Sequence, residues 1–257
     1  MYLFTLPFFN MFLAMMAIVA VIVFVSLYYV DAGYGISYDG KWGMSVNNKL
    51  GWVMMESPVF FVMTACWWFS ERTYELVPFL FFLFFQIHYF QRSFIFPFLL
   101  RGKSRMPLLI VIMGVIFNTL NGLMQGGWIF YVSPDGLYDI AWLTKPQFIA
   151  GVFLFGAGMV VNLHSDYIVR HLRKPGDTRH YLPKGGMFNY VTSANYLGEL
   201  MEWVGFAIMT WSWAGAVFAL WTFANLAPRA NTIHRKYRSM FPEISGLHLK
   251  RIIPFIY

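Results

Sequence analysis

Long apolar runs separated by short polar loops organise this chain. Phe8 to Val30 is an apolar run of the roughly 20 residues that cross about 30 Å of hydrocarbon, and it predicts a first membrane-spanning helix. The same pattern predicts spans at Trp52 to Phe69, Leu76 to Leu100, Leu108 to Tyr131 and Gln147 to Val169. A last apolar stretch, Tyr196 to Leu226, holds Trp211-Ser-Trp-Ala-Gly215 at its centre, a candidate tight turn that would divide it into two helices. Polar residues interrupt several spans: Glu56 near the start of the second, Gln86, His88, Tyr89, Gln91 and Arg92 in the third, and Asn118, Asn121 and Gln125 in the fourth.

The most polar stretch, Asn162 to Glu202, lies between two of these runs. At 100° per residue, Asn162, Asp166, Arg170 and Arg173 fall within one helix stripe, and Asn195, Glu199 and Glu202 within another. The loop between them carries Arg170, Arg173, Lys174, Arg179 and Lys184, with turn signals at Pro175-Gly176 and Pro183 to Gly186. A charged side chain at mid-bilayer costs about 2.5–3.5 kcal/mol on insertion scales, so this concentration of polar groups points to a ligand.

Loop charge fixes the expected orientation, because cytoplasmic loops carry the Lys and Arg excess. With Arg101 to Arg105 inside, residues 31–51 and 170–190 are inside as well, and a seventh span brings the C-terminal tail to the same face. Only Arg72 and Lys145, of 19 Lys and Arg, then lie outside. The expectation is an all-α polytopic membrane protein, one domain over residues 1–257 with seven transmembrane helices, N-terminus out and C-terminus cytoplasmic. Glu56, Tyr89, Asp166, Asn195, Glu199, Asn225 and Arg229 gather in the cytoplasmic part of their helices. That arrangement suits an enzyme drawing a soluble phosphorylated cofactor from the cytosol and an apolar substrate from the bilayer. A transporter more often binds at the midplane between inverted repeats, and no repeat is visible.

Composition agrees: 58% of residues are hydrophobic, 21% aromatic and only 12% charged, where soluble domains carry about 25% charge. The net charge of +7 resides in short loops, which fits orientation better than nucleic-acid binding. The lone Cys66 excludes an intramolecular disulfide, and no metal framework is offered. The first span lacks a small-residue cleavage site and reads as a retained helix. Gly156-Ala-Gly158-Met-Val-Val161 lacks the third glycine of a dinucleotide fingerprint. Gly151, Gly156 and Gly158 instead read as close-packing positions between helices. Neither H-E-x-x-H nor G-x-S-x-G occurs.

Several motifs occur in order: H-Y-F-Q-R-S-F from His88, N-G-L-M-Q-G from Asn121, N-L-H-S-D-Y-I-V-R-H-L-R-K-P-G from Asn162, L-P-K-G-G-M-F-N-Y-V-T-S-A-N-Y-L-G-E from Leu182, and a closing I-P-F-I-Y. With these the chain resembles the steroid 5α-reductase family, the 3-oxo-steroid 4-dehydrogenases, from Gly51 to Tyr257. The resemblance implies a seven-helix membrane enzyme that uses NADPH to reduce the Δ4 double bond of a 3-oxo steroid; with the loop charges, the expected location is a bacterial inner membrane or the endoplasmic reticulum membrane, with the site facing the cytosol. It implies that Glu56 and Tyr89 hold the substrate carbonyl. It also implies that Asn162, Asp166, Asn195 and Glu199 line the cofactor, with Arg173, Arg229 and Tyr237 completing that set and Arg170 on the same stripe. Two departures stand out: Met55 precedes Glu56 where the family has glutamine, and His180-Tyr181 stands where it has Tyr-Arg.

The chemistry also follows from the residues. Hydride addition to the β-carbon of an enone builds negative charge on the carbonyl oxygen, so donors must be aimed there. Trp52, Met54, Met55 and Phe60 around Glu56 favour the uncharged acid, which can donate. Ketosteroid isomerase is a precedent, with a neutral carboxylic acid working beside a tyrosine. Trp52, one turn from Glu56, walls the substrate in this reading, and Arg92, Arg101 and Lys103 read as topology charges, with contact to a cofactor phosphate as the alternative. The expected partners are the bilayer and an apolar enone, without nucleic acid or an obligatory protein partner. The rival readings are a reductase of another enone, polyprenol or sterol double bond, and a lipid-binding or transport protein.

Overall fold

The computed structural model describes residues 5–257 except 32, 34, 36–37, 39, 102–103, 175–176 and 178, and the side chain of Ser245. Lys103 and the Pro175-Gly176 turn therefore lie outside the described residues. The helices are α1 (Leu6–Tyr29), α2 (Asn48–Trp68), α3 (Leu76–Phe90), the short α4 (Phe96–Leu99), α5 (Leu108–Gly127), α6 (Pro146–His171), α7 (Ala194–Thr210) and α8 (Trp213–Met240). A π turn, Gln91–Ile95, joins α3 to α4, and a second, Trp128–Val132, extends α5.

Among the described residues, five helical stretches are long and apolar enough to cross a membrane: Leu6–Tyr29, Asn48–Trp68, Leu76–Leu99, Leu108–Val132 and Pro146–His171. The last apolar run does divide, because Trp211 takes a left-handed conformation (φ 47°) and ends α7. Ser212 then caps α8, its hydroxyl accepting from the Gly215 N–H at 3.0 Å.

The structure is mostly helical, as expected, with one small addition. Ser45–Asn47 (β1) and Arg105–Pro107 (β2) form a two-stranded antiparallel ladder in which Val46 faces Met106. Buried Met106 anchors it, and Arg105 Nε donates to Ser45 Oγ at 2.7 Å. The linker expected through Gly51 accordingly ends earlier, with Asn47 accepting from the Lys49 N–H to cap α2.

Glycines set the helix spacing. A Cβ on Gly151 or Gly158 of α6 would strike the α7 backbone at Met209 or Glu202, and a Cβ on Gly198 or Gly205 of α7 would strike the α6 backbone at Asn162 or Phe155. Gly156, expected to share this role, meets nothing within 4 Å and faces away. In the same way, Gly114, Gly122 and Gly126 of α5 receive Met55, Val62 and Cys66 of α2. An aromatic core of Phe85, Trp203, Phe206 and Phe218 joins α3, α7 and α8. Trp221 Nε1 donates to the Met16 carbonyl at 2.7 Å, pinning α1 to α8.

The segment at 250–252 reaches back to the start of α7. Lys250 and Val191 form a parallel bridge, Thr192 N–H donates to the Lys250 carbonyl at 2.9 Å, and Ser193 N–H to the Arg251 carbonyl at 3.1 Å. The backbone just ahead of Asn195 is therefore held by the tail.

Candidate functional site

Two asparagines of α5 organise one half of the site. Asn118 and Asn121 are three residues apart and lie on one helix face. Asn118 Nδ2 donates to the Met55 carbonyl at 2.7 Å and to Glu56 Oε2 at 3.3 Å. Asn121 Nδ2 donates to the Tyr89 hydroxyl at 3.1 Å. Gln125, one turn further on, donates to Asn121 Oδ1 at 3.5 Å and to the Ala214 carbonyl at 2.9 Å, so α8 steadies the row. Glu56 from the interior of α2 and Tyr89 from α3 are thereby held by adjacent positions of a third helix.

The other half centres on Arg92. A π turn adds a residue to the helical repeat, and Arg92 within Gln91–Ile95 is turned into the protein, 7% exposed. Its Nη1 lies 3.4 Å from Asp166 Oδ2 and its Nη2 3.6 Å from Glu199 Oε2. The guanidinium packs over Phe96 at 4.3 Å and Trp52 at 4.7 Å. Asn195 Nδ2 donates to Asp166 Oδ1 at 3.4 Å, and Asn162 Nδ2 donates to the Asn195 carbonyl at 2.9 Å. Arg92 is therefore a centre of the polar cluster, which corrects its reading as a topology charge.

Basic residues surround the loop that follows. Arg173 lies beyond the end of α6 at His171, so it leaves the expected stripe; its Nη2 donates to His180 Nδ1 at 2.9 Å. Burial, with the charges of Arg173 and Lys236, holds the His180 pKa below its ordinary 6.5. Arg179 and the Tyr181 hydroxyl both donate to Asp177, whose carboxyl is held well below the usual carboxylate range. Arg229 of α8 stacks over Tyr196 at 5.4 Å. Tyr237, near the end of α8, meets the Phe241 ring edge-on with centroids 5.9 Å apart. Among the described residues no group of three His, Cys, Asp or Glu is placed to hold a metal ion.

A family profile described as 3-oxo-5-alpha-steroid 4-dehydrogenase matches residues 104–257, more than half of the chain. The mouse (Mus musculus) protein named 3-oxo-5-alpha-steroid 4-dehydrogenase 1 is 39% identical over 245 residues, 92% of each chain. The chain belongs to the 3-oxo-5-alpha-steroid 4-dehydrogenase family. Another relative, 3-oxo-5-alpha-steroid 4-dehydrogenase 1 of Macaca fascicularis, is 47% identical over 173 residues, 67% of this chain and 64% of the macaque one, slightly under two thirds. Steroid 5-alpha-reductase DET2 of Gossypium hirsutum is 36% identical over 244 residues, 93% of this chain and 94% of its own.

In this member of the 3-oxo-5-alpha-steroid 4-dehydrogenase family, the motif residues divide into groups. Trp52, Asn162, Asp166, Asn195 and Glu199 meet around Arg92. Glu56 and Tyr89 meet through α5. Arg170 lies one turn beyond Asp166 on α6, while Arg173, Arg229 and Tyr237 belong to the loop and to α8. Motif reading gave no role to Arg92, Asn118 or Asn121. The available signal was cost: an arginine within an apolar run requires a buried partner, and three amide side chains on one span require partners too.

Proposed function

We propose that this chain reduces the Δ4 double bond of 3-oxo-Δ4 steroids to 5α-reduced 3-oxo steroids, using NADPH. The observation that carries this reading is the tethering of Glu56 and Tyr89 to successive polar positions of α5. NADPH supplies the hydride for the β-carbon when bound. As charge moves onto the 3-carbonyl oxygen, the Tyr89 hydroxyl donates to it, and Glu56 acts as a second donor or polarises Tyr89. Such donors act chiefly in the transition state, where removal of one typically costs on the order of 10²–10³ in rate.

The chemistry of the second cluster fits the cofactor. Asn162, Asn195 and Glu199 offer the donors and acceptors that a carboxamide or a sugar needs. Asp166 and Arg92 hold those groups in place. Arg170, Arg173, Arg229 and Tyr237 supply charge and hydrogen bonding for phosphates. Trp52, packed on Arg92 and one turn from Glu56, walls the substrate.

The site sits in a single seven-span domain with its N-terminus outside, its C-terminus inside and its mouth toward the cytosol, in a bacterial inner membrane or the endoplasmic reticulum. In this topology α7 and α8 are the last two spans, separated at Trp211. The test is purified protein in detergent with NADPH and a panel of 3-oxo-Δ4 steroids, other enone lipids and polyprenols. The expected result is NADPH consumption with a 5α-reduced 3-oxo steroid as product. Turnover confined to non-steroid enones or polyprenols would overturn the steroid assignment, and no nucleotide turnover would overturn the enzyme reading.

A further inference from the structure

One residue before Tyr89, His88 Nδ1 lies 2.8 Å from Glu202 Oε2 of α7. The two side chains are 4% and 1% exposed, and Glu202 Oε1 is buried with no partner among the described residues. One position further along each helix, Tyr89 and Trp203 stack with centroids 5.4 Å apart and planes at 29°. The His88 ring also meets Trp203 at 4.5 Å. Two consecutive residues of α3 thus engage two consecutive residues of α7, one pair polar and one aromatic.

A buried ion pair is a poor source of stability, because the desolvation of two charged groups offsets their attraction, and apolar residues of similar volume often serve as well or better. What a directional hydrogen bond adds is orientation. Tyr89 projects far from the axis of α3, so a small rotation of that helix moves its hydroxyl by on the order of 1 Å, and such a misplacement can cost on the order of 10²-fold in rate. The partner helix is also the one that carries Asn195 and Glu199. We propose that His88 and Glu202 are a positioning pair that fixes the Tyr89 hydroxyl relative to α7. The inference rests on the reductase reading given above and adds two residues to it.

The test compares His88→Asn with His88→Gln. The asparagine amide nitrogen stands close to the place of Nδ1 and keeps the bond to Glu202, whereas the glutamine amide extends toward the place of Nε2. His88→Asn is expected to keep kcat within about threefold of wild type, and His88→Gln to lose at least about tenfold. KM for the steroid and Kd for NADPH stay within about twofold in both, because the lost interaction acts in the transition state. Glu202→Gln, which keeps an acceptor for His88, behaves like His88→Asn. The double variant His88→Leu/Glu202→Leu regains the Tm of wild type but not its kcat.

Equal kcat in His88→Asn and His88→Gln, or full kcat in the double leucine variant, would overturn the inference. If the double variant does not fold, the two single His88 variants decide alone, since both replacements are polar and of similar size to histidine. Wild type assayed alongside separates the two layers: an inactive wild type removes the reductase reading, whereas an active wild type with indistinguishable His88 variants removes only the positioning pair.

Discussion

Asn121 donates to the Tyr89 hydroxyl oxygen at 3.1 Å, which leaves the phenolic proton free to point elsewhere. The direction of that bond matters more than its strength. Asn121→Ala removes a neighbour, while Asn121→Asp offers a carboxylate that would accept the Tyr89 proton and turn it away from substrate. Asn121→Asp is therefore expected to lower kcat by at least roughly tenfold more than Asn121→Ala does. Single-turnover hydride transfer measures this, and equal losses in the two variants would mean that the asparagine only packs.

Glu56→Gln and Tyr89→Phe are each expected to lower kcat by on the order of 10²–10³ with little change in NADPH affinity. If both groups serve one oxygen, the double variant falls short of the product of the single effects. Melting temperature, NADPH affinity and single-turnover rate on the same preparations separate this from a stability effect. Near-normal transfer in both single variants would remove the pair from the mechanism.

Arg92→Leu leaves Asp166 and Glu199 without their shared cation in a buried setting. Breaking a buried pair by removing one partner costs about 3–5 kcal/mol, so this variant is expected to melt far below wild type and to lose NADPH binding. Arg92→Lys retains charge but loses the flat contact with Trp52 and Phe96, and should fall in between. Thermal melts with and without NADPH check both statements, and a wild-type Tm for Arg92→Leu would contradict the assignment.

His180 supplies a pH signature. It accepts from Arg173, and its pKa is held below 6.5 in the folded protein. The folded chain thus binds fewer protons there than the unfolded chain, so this group's contribution to stability falls as pH drops from 6.5 toward the lowered value. A bound phosphate favours the protonated form, so NADPH affinity gains in the same window as His180 charges and releases Arg173. The gain should be present in wild type and reduced in His180→Gln, compared by NADPH titration at each pH. Identical profiles would exclude His180 from phosphate binding.

NADPH should exceed NADH by at least roughly tenfold in kcat/KM, because charge-assisted hydrogen bonds from the loop cations to a phosphate are strong. Asp177 engages Arg179, so Arg170 and Arg173 are the residues expected to carry the preference. Arg173→Ala should narrow it. Equal kcat/KM for the two cofactors in wild type would contradict the phosphate role of the loop.

Much of the helical framework is legible from apolar run length and the 100° repeat: the start of α3, the course of α6 and the break at Trp211 need no tertiary information. The ladder of Ser45–Asn47 with Arg105–Pro107 is not legible, because three-residue strands in polar linkers carry no periodic signal and their pairing is long-range. Arg92 escapes for a different reason. The π turn shifts the face of every later residue, so a regular helical wheel misplaces its side chain. Arg173 fails in the same way at a helix end, where the wheel continues past His171 but the helix does not. The asparagine tethers were visible as polar interruptions, yet their partners on other helices could not be read from spacing along the chain.

The glycine contacts between α6 and α7 have a dynamic consequence. With backbone against backbone at two levels, sliding or turning either helix would bring larger side chains into the space that the glycines keep open. In the reductase reading, an opening of the site therefore carries Asn162, Asp166, Asn195 and Glu199 together. The α2 and α5 pair, keyed by its own glycines, carries Glu56 and Asn118 in the same way. Tyr89 of α3 and Arg92 of the π turn that follows it touch both pairs, Tyr89 through Asn121 and Trp203 and Arg92 through Trp52, Asp166 and Glu199.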